Sequence, residues 1–420
     1  MKEIKRFDFD KKPLKEKWYL TPLKYLLALP EVWLRKTKVN KVNMEGVKPP
    51  YIILCTHHAF VDFKVLTKAI FPHPANYIVA IDGFIKREWL LRNVGGICKR
   101  KFVNDIKLVK HIKYSLEELK SIVAIFPEAR YSLIGTNAIL PESLGKMIKM
   151  LKYDVVVLNM HGNHLSQPVW NLKKRKVRLE ADMTKVISKE ELTNLTVEEI
   201  NDIINKAFIY DEYQWQKSNN IKITAKNRAE GLHKVLYKCP HCLVEHQMNS
   251  LGKNLFCEAC KVNYEMSKVG ELKATNAKTI FSHIPDWYEF ERAEVKKELL
   301  AGTYHFEDKV RIESLPNSKG YLKLGEGYLK HDENGFLLTA DNPETSLELL
   351  KEPLTLYSLH IEYNYFNKGD CLDLSTIDDT YYIYPLTKTN VVTKLHFAVE
   401  ELYKLKMKEL RQKSASFPTN

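Results

Sequence analysis

A chain of 420 residues and 49.0 kDa exceeds what one hydrophobic core usually organises, so two or three domains are expected. Its net charge of +13 and pI near 9.1 turn the surface toward anionic partners such as nucleic acid, anionic lipid, an acidic carrier protein or a phosphorylated substrate, without choosing among them. Of the seven cysteines, four fall in two close pairs, a usage that speaks against a disulfide framework and for metal binding in a reducing compartment.

Residues 1–17 are charged and have no apolar centre, so no cleavable leader is expected. Residues 18–34, "WYLTPLKYLLALPEVWL", are the most apolar stretch, but Lys24, Glu31 and two prolines interrupt it. It falls short of the roughly 20 residues a spanning helix needs. Trp18, Tyr19 and Trp33 bracket its leucines, and lysines and arginines flank both sides. That composition suits helices lying in a lipid interface; the alternative is a helical hairpin packed on its own domain.

From residue 49 the text alternates apolar strand-like runs with helical patterns, the signature of an α/β domain with a mixed sheet flanked by helices. "YIILC", "NYIVAI", "SIVAIF" and "DVVVLNM" read as strands, and "VDFKVLTKAIF", "IKREWLLRN", "DIKLVKHIKYSLEELK" and "PESLGKMIKMLK" as helices. Open α/β sheets bind ligands beyond the carboxyl ends of their strands. Those ends carry "THHAFVD", "DGFIKR", "PEAR" and "HGNH". The first holds His57 and, five residues on, Asp62. A histidine has the pKa for a general base near neutrality, and a carboxylate on its other nitrogen would fix the tautomer. His58 is one residue short of that spacing and reads as a buried histidine. His161 and His164 have no carboxylate or third histidine at ligand spacing, so they read as loop residues rather than a metal pair. "KKRKVRLEAD" (173–182) reads as an outer strand, and the capping box "TVEE" opens an amphipathic helix running through Phe208.

His57 with Asp62, then "GGICKRKF" (95–102), then "FPEAR" (126–130), then the "DVVVLNM" strand resemble, in order and spacing, the four blocks of the glycerolipid acyltransferases, typified by lysophosphatidic acid acyltransferase. The resemblance covers roughly residues 18–182. It implies an O-acyltransferase that moves a fatty acyl group from a thioester or related donor to the hydroxyl of a lysophospholipid, in phospholipid synthesis. His57 would be the base and Asp62 its partner. Gly96, Arg100 or Lys101, Glu128 and Arg130 would hold the acceptor's phosphate. The family's third block reads FPEG, a small residue and arginine, where this chain has Ala129 alone; its first block has asparagine where this chain has Thr56. The resemblance further implies an acyl donor (acyl-CoA, acyl carrier protein or acyl phosphate), a lysophospholipid acceptor and a peripheral place on the cytoplasmic face of a membrane.

"CPHC" (239–242) and "CEAC" (257–260) are two knuckles whose Cys239, Cys242, Cys257 and Cys260 would close a tetrahedral, structural zinc site, one ion per chain, in a zinc ribbon. His241 is surplus to four sulfurs. Past residue 275, alternating runs such as "KVRIESL", "GFLLTA", "CLDLST" and "TYYIYPL", separated by turn signals, read as an antiparallel β domain closed by the helix "VVTKLHFAVEELYKLKMKEL". That element order resembles the pleckstrin-homology (PH) barrel. Residues 412–420 read as a frayed tail. The expected domains are therefore 1–48, N-terminal interfacial helices; 49–230, acyltransferase-like; 235–272, ribbon; and 280–411, PH-like. The rival is a non-catalytic zinc-ribbon protein that binds nucleic acid or lipid. Nucleic acid fits poorly, because the loop between the knuckles offers one lysine and one phenylalanine.

Overall fold

The structure is a computed structural model; residues 4–340 and 347–415 are described. Internal contacts divide the chain into two compact units. One comprises Met1–Ile223 with Asn317–Gly320, the other Thr224–Pro316 with Tyr321–Asn420.

In the first unit the elements run α1 (Thr21–Leu34), β1 (Lys38–Val42), β2 (Ile52–Cys55), α2 (Asp62–Ile70), β3 (Ala75–Ala80), α3 (Glu88–Asn93), β4 (Gly96–Lys99), α4 (Ile106–Glu117), β5 (Ile122–Ile125), α5 (Ser143–Leu151), β6 (Val155–His161), α6 (Asn163–Ser166), β7 (Glu180–Ile187), α7 (Val197–Ala207) and α8 (Glu212–Ser218). The strands form one mixed sheet in the order β1-β7-β6-β2-β5-β3-β4. The run from β6 to β4 is parallel, β7 is antiparallel to β6, and β1 is parallel to β7. β2 shows why its sequence is apolar at every position. Ile53 and Cys55 belong to the core on one face with Leu29, Val65 and Leu66, while Ile52 and Leu54 belong to the core on the other with Ile112, Ile148 and Ile200. A strand covered on both faces has no polar side to display. Truncating Ile53, which is fully buried, removes about 2–5 kcal/mol.

The capping box is present: the Thr196 hydroxyl accepts from the Glu199 N–H, and the Glu199 carboxylate accepts from the Thr196 N–H. Two expectations change. The N-terminal segment holds one α-helix and strand β1, where a set of helices was expected. β1, "KVNKV", is an edge strand with mostly exposed side chains, so it carries no apolar signal. The outer strand starts at Glu180 and continues to Ile187, so the basic half of "KKRKVRLEAD" lies outside it. No described helix is long and apolar enough to cross a membrane.

The second unit opens with a four-stranded antiparallel sheet, β8 (Met248–Leu251), β9 (Asn254–Cys257), β10 (Asn263–Met266) and β11 (Leu272–Ala274). Helix α9 (Ile284–Leu300) follows. The rest comprises β12 (Phe306–Ser314), β13 (Leu322–Asp332), β14 (Gly335–Ala340), β15 (Glu348–Lys351), β16 (His360–Glu362), β17 (Cys371–Ser375), β18 (Thr380–Pro385) and α10 (Val392–Ala415). Those strands form an antiparallel sheet in the order β15-β14-β13-β12-β18-β17-β16. Helix α9 was not expected inside this β-rich region. Its buried face is Ile284, Trp287, Tyr288, Glu291 and Val295, and the glutamate in the middle of that stripe interrupts the apolar period. Of the expected tail, residues 412–415 belong to α10 and 416–420 lie outside the described residues.

Candidate functional site

Five parallel strands point their carboxyl ends to one edge of the first sheet, and the polar segments after β2, β3, β4, β5 and β6 follow from there. His57 lies just past β2. Its Nδ1 is 3.0 Å from Asp62 Oδ2. Asp62 opens α2 and its side chain is 1% exposed, whereas that of His57 is 23% exposed. The same Oδ2 accepts the backbone N–H groups of His58 at 2.6 Å and Ala59 at 3.0 Å. With the carboxylate accepting at Nδ1, that nitrogen carries the proton and Nε2 is the basic one. No described residue hydrogen-bonds Nε2. The ring is flanked by Phe126 and Tyr131, at centroid distances of 4.4 and 4.3 Å.

The backbone of His57 is clamped on both sides by the loop after β5. Its N–H donates to Glu128 Oε2 at 2.8 Å, and its carbonyl accepts the Ser132 N–H at 2.7 Å. The other Glu128 oxygen accepts the Ala138 N–H at 2.9 Å and the Tyr210 hydroxyl at 3.0 Å. Burial and the neighbouring Glu128 push the Tyr210 phenol well up, so it stays a donor. Glu128 is thus buried and engaged with three protein donors, in a position to hold the histidine rather than a ligand. Ala129 supplies the turn at φ +56°, a left-handed conformation that glycine takes without strain. Thr56 bridges β2 to β6: its hydroxyl accepts the Met160 N–H at 3.0 Å and donates to the Leu158 carbonyl.

The remaining expected residues are spread along the same edge. Gly96 begins β4, where a Cβ would meet the Leu91 carbonyl at 2.8 Å; the position demands glycine for packing against α3. Arg100 is buried, with its guanidinium 5.5 Å from the Phe9 ring centre. Lys101 pairs with Asp82 at 2.9 Å. Arg130 is buried and donates from Nη1 to the Tyr131 carbonyl at 3.2 Å.

His58 is fully buried against the edge of Tyr210. His161 and His164 diverge. Burial disfavours the charged form of His161, but Glu212 and Asp182, each 3.5 Å away, outweigh it and raise its pKa. His164 is pushed well below its ordinary value by burial, with His58 and Arg175 adding to the effect. Sequence reasoning missed Asn163, Tyr210 and Glu212. The only signal for the last two was "YDEYQW", a carboxylate set among aromatics.

In the second unit the Sγ atoms of Cys239, Cys242, Cys257 and Cys260 lie within 4.8 Å of one another. Cys239–Cys260 and Cys242–Cys257 are 3.6 and 3.7 Å apart. Thiolates about 2.3 Å from a tetrahedral ion lie about 3.8 Å from each other, so the four sulfurs fit a metal. Both knuckles fold alike. Cys239 and Cys257 each donate N–H to the carbonyl five residues on (Val244, Val262) and accept from the N–H four residues on (Leu243, Lys261). Leu243 and Lys261 both sit at φ +62°. His241 Nε2 is 2.8 Å from the Tyr264 hydroxyl. The ribbon leans on α9, where Trp287 donates to the Lys238 carbonyl at 2.9 Å and Glu291 accepts the Lys238 N–H at 2.7 Å.

No protein-family model and no curated protein matches the sequence. Among solved structures, the 1-acyl-sn-glycerophosphate (LPA) acyltransferase PlsC from Thermotoga maritima is similar at 13% identity and a TM-score of 0.34, over 45% of this chain and 77% of that one. A likeness at that level carries no argument.

Proposed function

We propose that the first unit is an O-acyltransferase that moves a fatty acyl group from a thioester or related donor to the hydroxyl of a lysophospholipid such as lysophosphatidic acid. The observation that carries this is the His57–Asp62 pair, with Nδ1 tied to a buried carboxylate and Nε2 without a partner among the described residues, at the carboxyl edge of the sheet. In the step, Nε2 takes the acceptor's hydroxyl proton as its oxygen attacks the acyl carbon. The new C–O bond forms, the C–S bond breaks, and the leaving thiolate recovers the proton from His57. Asp62 stabilises the imidazolium in between. Glu128 acts on the histidine's backbone, so we assign it a positioning role in place of phosphate binding.

The acceptor's phosphate is assigned to Arg130, whose planar fork suits phosphate oxygens, with Arg100 or Lys101 as the second cation. The test offers acyl-CoA, acyl carrier protein and acyl phosphate with either lysophosphatidic acid or monoacylglycerol. Arg130→Ala should raise the apparent KM for the phosphorylated acceptor about tenfold or more and leave the neutral one nearly unchanged. A uniform loss on both would make Arg130 structural.

Helix α1 supports a peripheral membrane location. Its polarity is inverted: Lys24 is buried against Glu16 at 2.6 Å, while Leu26, Leu27 and Leu34, and Trp18 just before the helix, are 70, 64, 85 and 83% exposed. Leu29 and Val32 anchor it to the core. We assign the outward face to an anionic bilayer surface on the cytoplasmic side, where four thiols stay reduced for a metal. Substituting Leu26, Leu27 and Trp33 with serine should release the protein from phosphatidylglycerol vesicles, and salt should weaken binding by the intact chain. Unchanged binding by the triple variant would move the contact elsewhere. The ribbon's ion is assigned as one structural zinc, and the C-terminal sheet with α10 as a PH-like module.

A further inference from the structure

We infer that Asn163 is a positioning residue for the His57–Asp62 pair, an inference that rests on the acyl-transfer reading of His57. Three donors converge on Asp62 Oδ2: His57 Nδ1 and the N–H groups of His58 and Ala59. The other oxygen, Oδ1, accepts from Asn163 Nδ2 at 2.8 Å, across 101 residues of sequence. Asp62 is 1% exposed and Asn163 fully buried, so bulk water cannot take over that bond. Holding Oδ1 prevents the carboxylate from turning about its Cβ–Cγ bond. Oδ2 therefore stays in line with Nδ1, and the tautomer with a basic Nε2 is kept.

Asn163 is itself aimed by a built turn. It opens α6 directly after Gly162, whose φ is +83° and where a Cβ would lie 2.1 Å from the Arg178 carbonyl. The Gly162 N–H donates to Glu212 Oε2 at 2.7 Å, and Glu212 is fully buried. The chain of contacts thus runs Glu212, Gly162, Asn163, Asp62, His57. Asn163 touches neither substrate nor the reacting atoms; it acts through Asp62.

The test uses the full chain with Asn163→Ala and the near-isosteric Asn163→Leu, which keeps the volume and removes the amide donor. Each should lower kcat about 10- to 100-fold, as expected for loss of one hydrogen bond to a charged group that orients the base, with KM for donor and acceptor within about twofold. A second readout needs no substrate. The low-field proton resonance of His57 Nδ1, present in the wild type and absent in His57→Ala, should be lost or broadened in both variants. Wild-type kcat together with an unchanged Nδ1 resonance in both variants overturns the proposal. If the wild type transfers no acyl group but the resonance depends on Asn163 as described, the positioning role stands and the acyl-transfer reading fails.

Discussion

Replacing His57 with alanine should lower acyl transfer by about 10²- to 10⁴-fold, the loss expected when a general base is removed, while the fold persists. The side chain is part-exposed and its one hydrogen bond among the described residues is to Asp62, whereas the contacts that organise the loop are made by its backbone N–H and carbonyl, with Glu128 and Ser132. Alanine keeps those. Asp62 also retains the His58, Ala59 and Asn163 donors, so no buried charge is stranded. His58→Ala should behave in the opposite way. That ring is fully buried and packs on Tyr210, so its removal opens a cavity and lowers stability by a few kcal/mol, with a smaller effect on the chemical step. Denaturant unfolding and initial rates, measured on both variants, separate the two roles.

Serine at both Cys257 and Cys260 should take bound zinc from one ion per chain to none. A structural site of four thiolates contributes on the order of 10 kcal/mol of binding energy to folding, and two hydroxyls do not replace two thiolates. The ribbon's strands are short, and its tie to α9 runs through Lys238, the residue before the first knuckle. Metal loss should therefore expose residues 239–266 to protease first. Glu291 would lose its Lys238 N–H donor; burial already raises its pKa well above the ordinary value, so it is neutral-leaning and can remain inside α9. Four thiolates leave the ion no open position for substrate, so residual transfer in the double variant should exceed that of His57→Ala. Abolition of turnover by mild chelation, restored by zinc with no change in protease sensitivity, would contradict the structural assignment.

What the sequence revealed of the site was what lies close together in it. His57 and Asp62 are five residues apart, across one strand end and one helix start, and the apolar run before them marked the strand. Asn163, Tyr210 and Glu212 reach the site over separations of 101, 82 and 50 residues to their partners, and no local period records such distances. Glu128 reads in the sequence as a phosphate holder, and its carboxylate accepts the His57 N–H; a carboxylate at a strand end looks the same in sequence whether it faces a ligand or a backbone N–H. In the fold, the doubly buried β2 announced itself, while β1, an exposed edge paired with β7, did not. Helix α9 carries the right apolar spacing, yet Glu291 sits in the buried stripe to receive the ribbon, and a charge there reads as solvent-facing.

The measurement that bears most directly on the central claim is acyl transfer by the purified full chain on anionic vesicles containing lysophosphatidic acid. Labelled acyl-CoA, acyl carrier protein and acyl phosphate are offered in turn, across a range of pH, to wild type and His57→Ala. The account predicts labelled phosphatidic acid from the wild type with at least one donor, and product from His57→Ala lower by about 10² or more. Equal product from the two proteins, or none from the wild type with any donor, would contradict it.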